Sequence, residues 1–281
     1  SDLGSGSSVA VTGLSASTFY HYRVYEFNGS GATSNYYTAT ATGNPNNQQT
    51  YASEPTTQAT SVVFSSIGST SMTVSWTNGN GSTHLALIHA GAAVDANPVD
   101  GTQYTASTTY GSGDQIGTGN YVVYASTGSS VTITGLSAST TYHVRVYDYN
   151  HNSGENYLTS TETGNPNSQT TYAAEPTSAS TSMMFSGVTG STTTVSWTNG
   201  DGANRIVVAK SGSAVTGDPS DGSDYSANAA FGSGSTVSAG EYVVYNGSGS
   251  SVSVTGLSAA TTYHFEVFEY NGSSTTANYL T

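Results

Sequence analysis

The chain has 281 residues, of which 35% are hydrophobic, 11% aromatic and 7% charged, a composition too apolar and aromatic for a disordered chain of such low charge. Four Lys and Arg residues against 17 Asp and Glu residues give a formal net charge of −13, which disfavours nucleic acids and anionic lipids as partners. The sequence has no cysteine, which excludes disulfides, thiol catalysis and thiolate metal sites, and no apolar run approaches the ~20 residues that a membrane-spanning helix needs.

An internal repeat organises the chain. Three segments have nearly the same sequence, namely GLSASTFYHYRVYEFN from Gly13, GLSASTTYHVRVYDYN from Gly135 and GLSAATTYHFEVFEYN from Gly256. Their starts are 122 and 121 residues apart (135 − 13 and 256 − 135), which is the size of one domain. We therefore predict a tandem array with a partial repeat over residues 1–53, a complete repeat over 54–174 and a nearly complete repeat over 175–281.

The first of these repeats has only the last three strands of a copy, and Thr281 matches Thr38 within the last strand. Three strands with an open edge are poorly self-sufficient. We therefore expect the 281 residues to be a window onto a longer repetitive protein. The alternative is strand complementation, in which the partial repeat borrows its missing strands from a neighbouring molecule and so builds a filament.

The middle repeat shows period-two alternation throughout, which predicts an all-β fold. Seven strand candidates lie at 60–67, 71–77, 83–90, 120–126, 130–136, 141–149 and 156–163. Seven short strands separated by Gly, Asn and Ser turns favour a β-sandwich. Alternation predicts two buried rows that meet in its core, one of Met72, Val74 and Trp76 and the other of Tyr142, Val144 and Val146.

A long insertion separates the third and fourth strands of each copy, roughly over 91–119 and 212–240. Its polar sequence contains scattered Tyr, Phe and Val, so we expect it to lie against a sheet face. In the last copy it carries Asp218, Asp221 and Asp224, and three carboxylates beside a flexible Gly are ligands that calcium prefers. The alternative is that these are turn-forming Asp residues. Apart from this calcium candidate, we expect no cofactor.

The strand that begins near Tyr142 has an aromatic pair at outward positions in every copy. An uncovered stripe of this kind is a candidate surface for sugar stacking or for packing against another subunit, and the alternative is that the insertion covers it. The stripe consists of Tyr25 and Phe27, Tyr147 and Tyr149, and Phe268 and Tyr270.

Inward positions of the same strand carry an acidic residue in each copy, namely Glu26, Asp148 and Glu269. A buried carboxylate needs a partner, for which Arg205 is the candidate in the last copy, whereas His84 occupies the matching place in the middle one. We predict a structural ion pair rather than a catalytic one. The known hydrolase, P-loop and dinucleotide motifs do not occur in the sequence, and we expect no enzymatic activity.

The combination of a second-strand Trp with TGLSASTTYHVRVYDYN resembles the corner between strands E and F of a fibronectin type III domain, over about two and a third repeats. The resemblance implies that Leu136 packs inward and that Tyr142 returns its hydroxyl to nearby backbone as a tyrosine corner. Their counterparts are Leu14 and Tyr20, and Leu257 and Tyr263. The longer insertion-containing pattern is similar to repeats in large secreted multidomain proteins of Bacteroidota, which are often exported through the type IX pathway.

Between complete copies, Pro166 and Pro176 restrict a polar connector, so we expect successive domains to hold a preferred angle. The sequence thus predicts a structural or adhesive repeat region of a secreted, cell-surface bacterial protein that self-associates, with filaments as one form. The alternative is an accessory carbohydrate-binding or spacer module of a larger secreted enzyme, with a surface glycan as partner. Ordered oligomers would favour the first function, and monomers that bind glycan would favour the second.

Overall fold

The computed structural model describes residues 6–281, which form strands joined by turns. The partial repeat has β1 (Phe19–Tyr22), β2 (Glu26–Asn28), β3 (Asn35–Tyr37) and β4 (Asn46–Gln49), with a 3-10 turn at Gly31–Thr33. The middle repeat has β5 (Thr60–Ser65), β6 (Ser71–Thr77), β7 (Thr83–Ala90), β8 (Gln115–Ile116), β9 (Asn120–Ser126), β10 (Ser130–Thr134), β11 (Thr141–Asn150), β12 (Asn156–Tyr157) and β13 (Asn167–Thr170). The third repeat has β14 (Thr181–Ser186), β15 (Thr193–Thr198), β16 (Asn204–Ser211), β17 (Thr236–Ser238), β18 (Glu241–Gly247), β19 (Ser251–Val254), β20 (Tyr263–Asn271) and β21 (Asn278–Tyr279), with a 3-10 turn at Ser274–Thr276.

Each of the two larger repeats is a sandwich of two antiparallel sheets. In the middle repeat one sheet has the order β10-β6-β5, and the other has the order β12-β11-β7-β9-β8 with β13 also paired to β11. The third repeat has the corresponding sheets β14-β15-β19 and β17-β18-β16-β20-β21. The predicted all-β sandwich is confirmed.

The inner core forms where the two sheets face each other. The two predicted rows do meet there, because Met72, Val74 and Trp76 belong to the same buried cluster as Tyr142, Val144 and Val146. Trp76 also packs edge-on against Tyr124, with ring centroids 5.1 Å apart. An edge-to-face arrangement of this kind adds to the stabilisation from burial alone.

The last strand of the middle repeat is split, which the sequence did not predict. Only the ends of β11 pair with β12 and β13, and the chain leaves the sheet between them. Side chains occupy the gap: the backbone N–H of Val146 donates to Asn165 Oδ1 at 3.0 Å, and that of Asp148 donates to Gln58 Oε1 at 2.7 Å. Backbone groups in a buried strand must be paired, and here two amide side chains replace a neighbouring strand.

A second core lies on the other face of the larger sheet. There the insertion residues Val94, Tyr104 and Ile116 pack against Leu87 and Tyr147, which are completely buried. The insertion thus lies against the sheet, as expected. In consequence the larger sheet is covered on both faces and is the middle of three layers.

The partial repeat lacks both covers. Its strands pair only as β1 with β4 and β2 with β3. Val24 is 69% exposed, whereas its counterpart Val146 is completely buried. The difference follows from the absence of facing sheet and insertion among the described residues of this repeat.

Candidate functional site

The aromatic stripe is buried in both larger repeats. Tyr147, Tyr149, Phe268 and Tyr270 are each at most 8% exposed. The Tyr147 hydroxyl donates to the Ala96 carbonyl at 3.1 Å, and burial raises the pKa of this tyrosine to about 12. The prediction of an exposed interaction stripe is therefore wrong for these four residues, because the insertion covers them.

The remaining stripe residues lie in the partial repeat and are exposed there. Tyr25 is 43% exposed and Phe27 is 36% exposed. The Arg23 guanidinium lies over the Tyr25 ring at 4.6 Å from its centroid. Of the six stripe residues, Tyr25 and Phe27 are thus the exposed ones, and no insertion lies against them in the part of the chain that the structure describes.

A tyrosine, the second residue of β12 and of β21, helps to hold the insertion of its repeat. The Tyr157 ring lies 4.7 Å from that of Tyr149, and its hydroxyl donates to the Thr102 carbonyl at 2.9 Å. Its backbone N–H donates to Asp100 Oδ1 at 2.8 Å. Tyr279 and Asp221 repeat the last contact in the third repeat, also at 2.8 Å. Burial raises the pKa of both tyrosine hydroxyls above the usual range.

The three aspartates of the calcium candidate are all exposed. Asp221 accepts the hydrogen bond from Tyr279. Residues 6–281 include no group of three or more acidic or histidine side chains placed to hold a metal ion. The geometry instead gives Asp221 a structural role that the sequence did not predict, because its contact ties the insertion to the sandwich.

The predicted ion pair of the last copy is present and fully enclosed. Arg205 Nε lies 3.1 Å from Glu269 Oε1, and Arg205 Nη2 lies 3.2 Å from Glu269 Oε2. The carboxylate also accepts from the Gly200 N–H at 2.8 Å and from the Ser180 hydroxyl. The ion pair is thus bidentate, and the other lone pairs of the carboxylate also have hydrogen-bond donors. These features indicate a structural role for the pair.

In the middle repeat a different set of partners satisfies the buried carboxylate, which belongs to Asp148. Asp148 accepts from the backbone N–H groups of Ala59 at 2.6 Å and Gly81 at 3.0 Å. His84 Nδ1 lies 3.2 Å from Asp148 Oδ1, a distance suited to an ion pair but without hydrogen-bond alignment. Backbone donors therefore supply most of what the arginine supplies in the third repeat. Glu26 of the partial repeat is exposed.

The tyrosine corner that the family resemblance implied occurs in all three copies. The Tyr142 hydroxyl accepts from the Ser137 N–H at 2.8 Å, and Leu136 is buried beside it. The equivalent bonds run from Ser15 to Tyr20 at 2.7 Å and from Ser258 to Tyr263 at 2.9 Å. This bond fixes the loop that precedes β11 and its equivalents.

The feature that sequence reasoning missed is the contact between successive repeats. At Tyr172 the backbone is bonded to the middle repeat, because its N–H donates to the Gly68 carbonyl at 3.1 Å. One residue later the backbone is bonded to the third repeat, because the Ala173 N–H donates to the Thr276 carbonyl at 2.9 Å. The chain therefore passes from one sandwich to the next without a free linker residue.

The tyrosine side chain at this crossing packs on a glycine of the following insertion. A Cβ atom added at Gly222 would lie 3.0 Å from the Tyr172 ring, and Gly222 has a φ of +70°. At the first crossing, Tyr51 lies against Gly101 in the same way, and a Cβ there would come within 2.2 Å of the Tyr51 hydroxyl oxygen. A tyrosine–glycine contact thus joins one repeat to the next at both crossings.

Two asparagine side chains of the following repeat complete each crossing. Asn156 Nδ2 donates to the Ala52 carbonyl at 2.7 Å, and Asn150 Nδ2 donates to the Ser53 carbonyl at 2.8 Å. The same pair of bonds recurs at the second crossing, from Asn278 to Ala173 at 2.7 Å and from Asn271 to Ala174 at 2.8 Å. We name the tyrosine–glycine contact and these two amide bonds the junction.

The signal for the junction was present in the sequence as identities between copies. Tyr-Ala at 51–52 and 172–173, Asp-Gly at 100–101 and 221–222, and Asn-Tyr at 156–157 and 278–279 are all shared. Their meaning was hidden because the three pairs are far apart along the chain and meet only in the folded array.

The strand order of the two larger repeats, together with the tyrosine corner, defines the chain as a tandem array of immunoglobulin-like, fibronectin type III-like β-sandwiches with a long insertion. No family model and no curated protein matches the sequence. None of the helices in residues 6–281 has the length and apolar character needed to cross a membrane.

Several solved structures are similar to the chain. A two-domain fibronectin type III segment from chicken tenascin is 14% identical, with 79% of this chain and 98% of that chain covered and a TM-score of 0.31. The central fibronectin III array of RIM-binding protein is 10% identical, with coverages of 80% and 64% and a TM-score of 0.26. The FN1–FN3 domains of chicken CNTN1 are 15% identical, with coverages of 86% and 71% and a TM-score of 0.37. At these scores the similarities carry no argument about function.

Proposed function

We propose that this chain is a structural repeat region of a secreted, surface-associated bacterial protein, in which the sandwiches act as stiff spacers. The observation that carries the proposal is the junction, which recurs with the same residues at both crossings and leaves no free linker residue. A flexible tether would need no such contacts. The low charge and the abundance of Ser, Thr, Asn and Gly support an extracellular setting.

The proposal assigns no catalytic role to the chain. The buried acidic residues Asp148 and Glu269 are occupied by structural partners. A glycan-binding role on the aromatic stripe is weakened, because the insertion covers that stripe in both larger repeats. We also propose a bacterial cell surface as the setting and type IX export as the route, from the sequence resemblance of the insertion-containing pattern alone.

The stiffness of the junction can be measured directly, because the chain has no native cysteine. Spin labels at Ser129→Cys and Ser250→Cys would occupy equivalent exposed turns of the two larger repeats. We expect a single narrow distance distribution by pulsed electron paramagnetic resonance. A broad distribution would overturn the spacer proposal. Antibody labelling of intact bacterial cells, with and without added protease, tests the location.

A further inference from the structure

The two larger repeats differ in how the charge of their buried carboxylate is balanced. In the third repeat the Arg205 guanidinium and the Glu269 carboxylate form a neutral pair that is at most 2% exposed. In the middle repeat Asp148 is completely buried, and it accepts hydrogen bonds from backbone N–H groups, which have no net charge. Among the described residues its ion-pair partner is the imidazole of His84, which has no permanent charge. An uncompensated charge in a protein interior costs more free energy than a paired one.

The Arg205 guanidinium also binds three backbone carbonyl groups. Its Nη2 atom donates to the Gly202 carbonyl at 3.0 Å. Its Nη1 atom donates to the Gly249 carbonyl at 2.9 Å and to the Ser248 carbonyl. The third repeat thus arranges one carboxylate and three carbonyl oxygens around a single positive charge.

The middle repeat has the same backbone framework at this place. The residues that correspond to those three carbonyl groups lie 121 positions earlier in the chain and are Gly81, Thr127 and Gly128. A Cβ atom added at Gly128 would lie 2.6 Å from the Tyr124 hydroxyl oxygen, and the equivalent atoms of the third repeat are also 2.6 Å apart. The Trp76 N–H donates to the Ser129 carbonyl at 3.0 Å, and the equivalent bond of the third repeat has the same length. The turn that carries Thr127 and Gly128 therefore holds the same position in both repeats.

The side chain at the place of the arginine is the shorter His84. Its Nδ1 atom lies 3.2 Å from Asp148 Oδ1 and is buried without a hydrogen-bond partner within residues 6–281. In the same part of the chain, no donor reaches the carbonyl oxygens of Gly81, Thr127 or Gly128. The middle repeat thus has the oxygen atoms that surround the guanidinium in the third repeat, but it lacks the positive charge.

We propose that the middle repeat binds a monovalent metal cation at this place, between the Asp148 carboxylate and those three carbonyl oxygens. Carboxylate and carbonyl oxygens are the ligands that hard cations prefer. A single positive charge makes the site neutral, as the guanidinium does in the third repeat, whereas a divalent cation would leave a net positive charge in the interior. The site lies within one repeat, so the inference does not depend on the proposed spacer role.

Urea unfolding of the 281-residue chain tests the inference, because each larger repeat has one tryptophan. Trp197→Phe leaves Trp76 as the reporter of the middle repeat. We expect sodium chloride, at a concentration about ten times the dissociation constant found by titration, to lower the unfolding equilibrium constant of this repeat about tenfold relative to tetramethylammonium chloride. The organic cation matches the ionic strength but is too large to fit among the oxygen ligands. Urea is the denaturant of choice, because guanidinium would itself bind among these oxygens.

The third repeat is the internal control, since Arg205 already supplies the positive charge there. With Trp76→Phe and Trp197 as the reporter, we expect the same stability in the two salts. Equal effects of the two salts on the middle repeat, or an equal effect of Na⁺ on both repeats, would overturn the inference. A middle repeat that is stabilised by acid and not by Na⁺ would overturn it as well, because a proton on His84 would then supply the charge.

An exchange of the two charge pairs locates the site. The double variant His84→Arg, Asp148→Glu gives the middle repeat the side chains of the third, and we expect it to abolish the difference between the two salts. The reverse double variant Arg205→His, Glu269→Asp is expected to create that difference in the third repeat. A difference that persists in the first variant would contradict the assignment. If the first variant does not fold, the lack of a Na⁺ effect in the reverse variant would contradict it instead.

Discussion

At the residue scale, equivalent positions of the two larger repeats carry different side chains that meet the same need. Glu241 in the third repeat and Asn120 in the middle repeat are both completely buried at the start of equivalent strands. Glu241 Oε1 accepts from Lys210 Nζ at 2.8 Å, whereas Asn120 Nδ2 donates to Asp95 Oδ1 at 2.8 Å. Each contact ties the insertion or its flanking strand to the sheet. The two repeats therefore share the position of this contact but not the residue types that form it.

The Glu241 contact predicts that the third repeat is sensitive to acid. Burial raises the pKa of this carboxyl, but the Lys210 ammonium and the N–H groups of Thr216 and Gly217 outweigh burial and lower it to about 2. The unfolded value is about 4.3, so the stabilisation is complete above that pH and is lost as the pH falls towards 2. We expect Glu241→Gln to unfold more easily than the wild type at pH 7, and the difference to shrink steeply as the pH falls from about 4 to about 2.

The measurement can isolate the third repeat because each larger repeat has one tryptophan, Trp76 or Trp197. Denaturant unfolding in a Trp76→Phe background reports the third repeat, and Trp197→Phe reports the middle one. An equal effect of Glu241→Gln on both reporters, or an effect that persists undiminished at pH 2, would contradict the assignment.

The tyrosine corner gives a second prediction at this scale. Tyr142→Phe removes only the hydroxyl that accepts from Ser137, and we expect it to cost about 1 kcal/mol of the free energy of unfolding because a partly buried N–H loses its acceptor. Tyr121→Phe is the control, since its half-buried ring packs on Tyr110 and its hydroxyl makes no hydrogen bond within residues 6–281. Chemical denaturation followed by Trp76 fluorescence measures both, and equal stabilities of the two variants would argue against the corner.

At the scale of the elements, the insertion turns the outer face of a sheet into a second core. Leu87 points to this outer face and is as deeply buried as Val144 on the inner face. We expect Leu87→Ala to destabilise the middle repeat by about 2–5 kcal/mol, as for any large-to-small core substitution. Val63→Ala, at a position that is 53% exposed, should change stability by less than about 0.5 kcal/mol. A small effect of Leu87→Ala in thermal or denaturant unfolding would mean that the insertion is only a loose cover.

The sequence allowed the strands and the inner core to be predicted, because alternation along a strand depends on local residues such as Met72, Val74 and Trp76. It did not allow the split last strand to be predicted, since the partners of the Val146 and Asp148 N–H groups are the side chains of Asn165 and Gln58. Whether the aromatic stripe is exposed or buried likewise depends on how the insertion folds back onto the sheet. Contacts made by side chains across long stretches of chain leave no periodic signal.

At the scale of the whole molecule, the junction decides whether the repeats form a stiff array. Gly222→Val should clash with the Tyr172 ring and broaden the spin-label distance distribution between the two larger repeats. Gly212→Val is a matched control, because its φ of +79° gives the same backbone penalty while no atom lies within 4 Å of the added Cβ. If both variants broaden the distribution equally, backbone strain and not the ring contact is responsible.

The double cover of the larger sheet also bears on how the array responds to pulling. An edge strand exposed to water can be peeled away one hydrogen bond at a time. By contrast, β7 has neighbours along both edges, β9 and β11, and covering layers on both faces. Water reaches its hydrogen bonds only after the insertion or the opposite sheet has been removed, so tension along the chain must first strip a whole layer before it separates these strands.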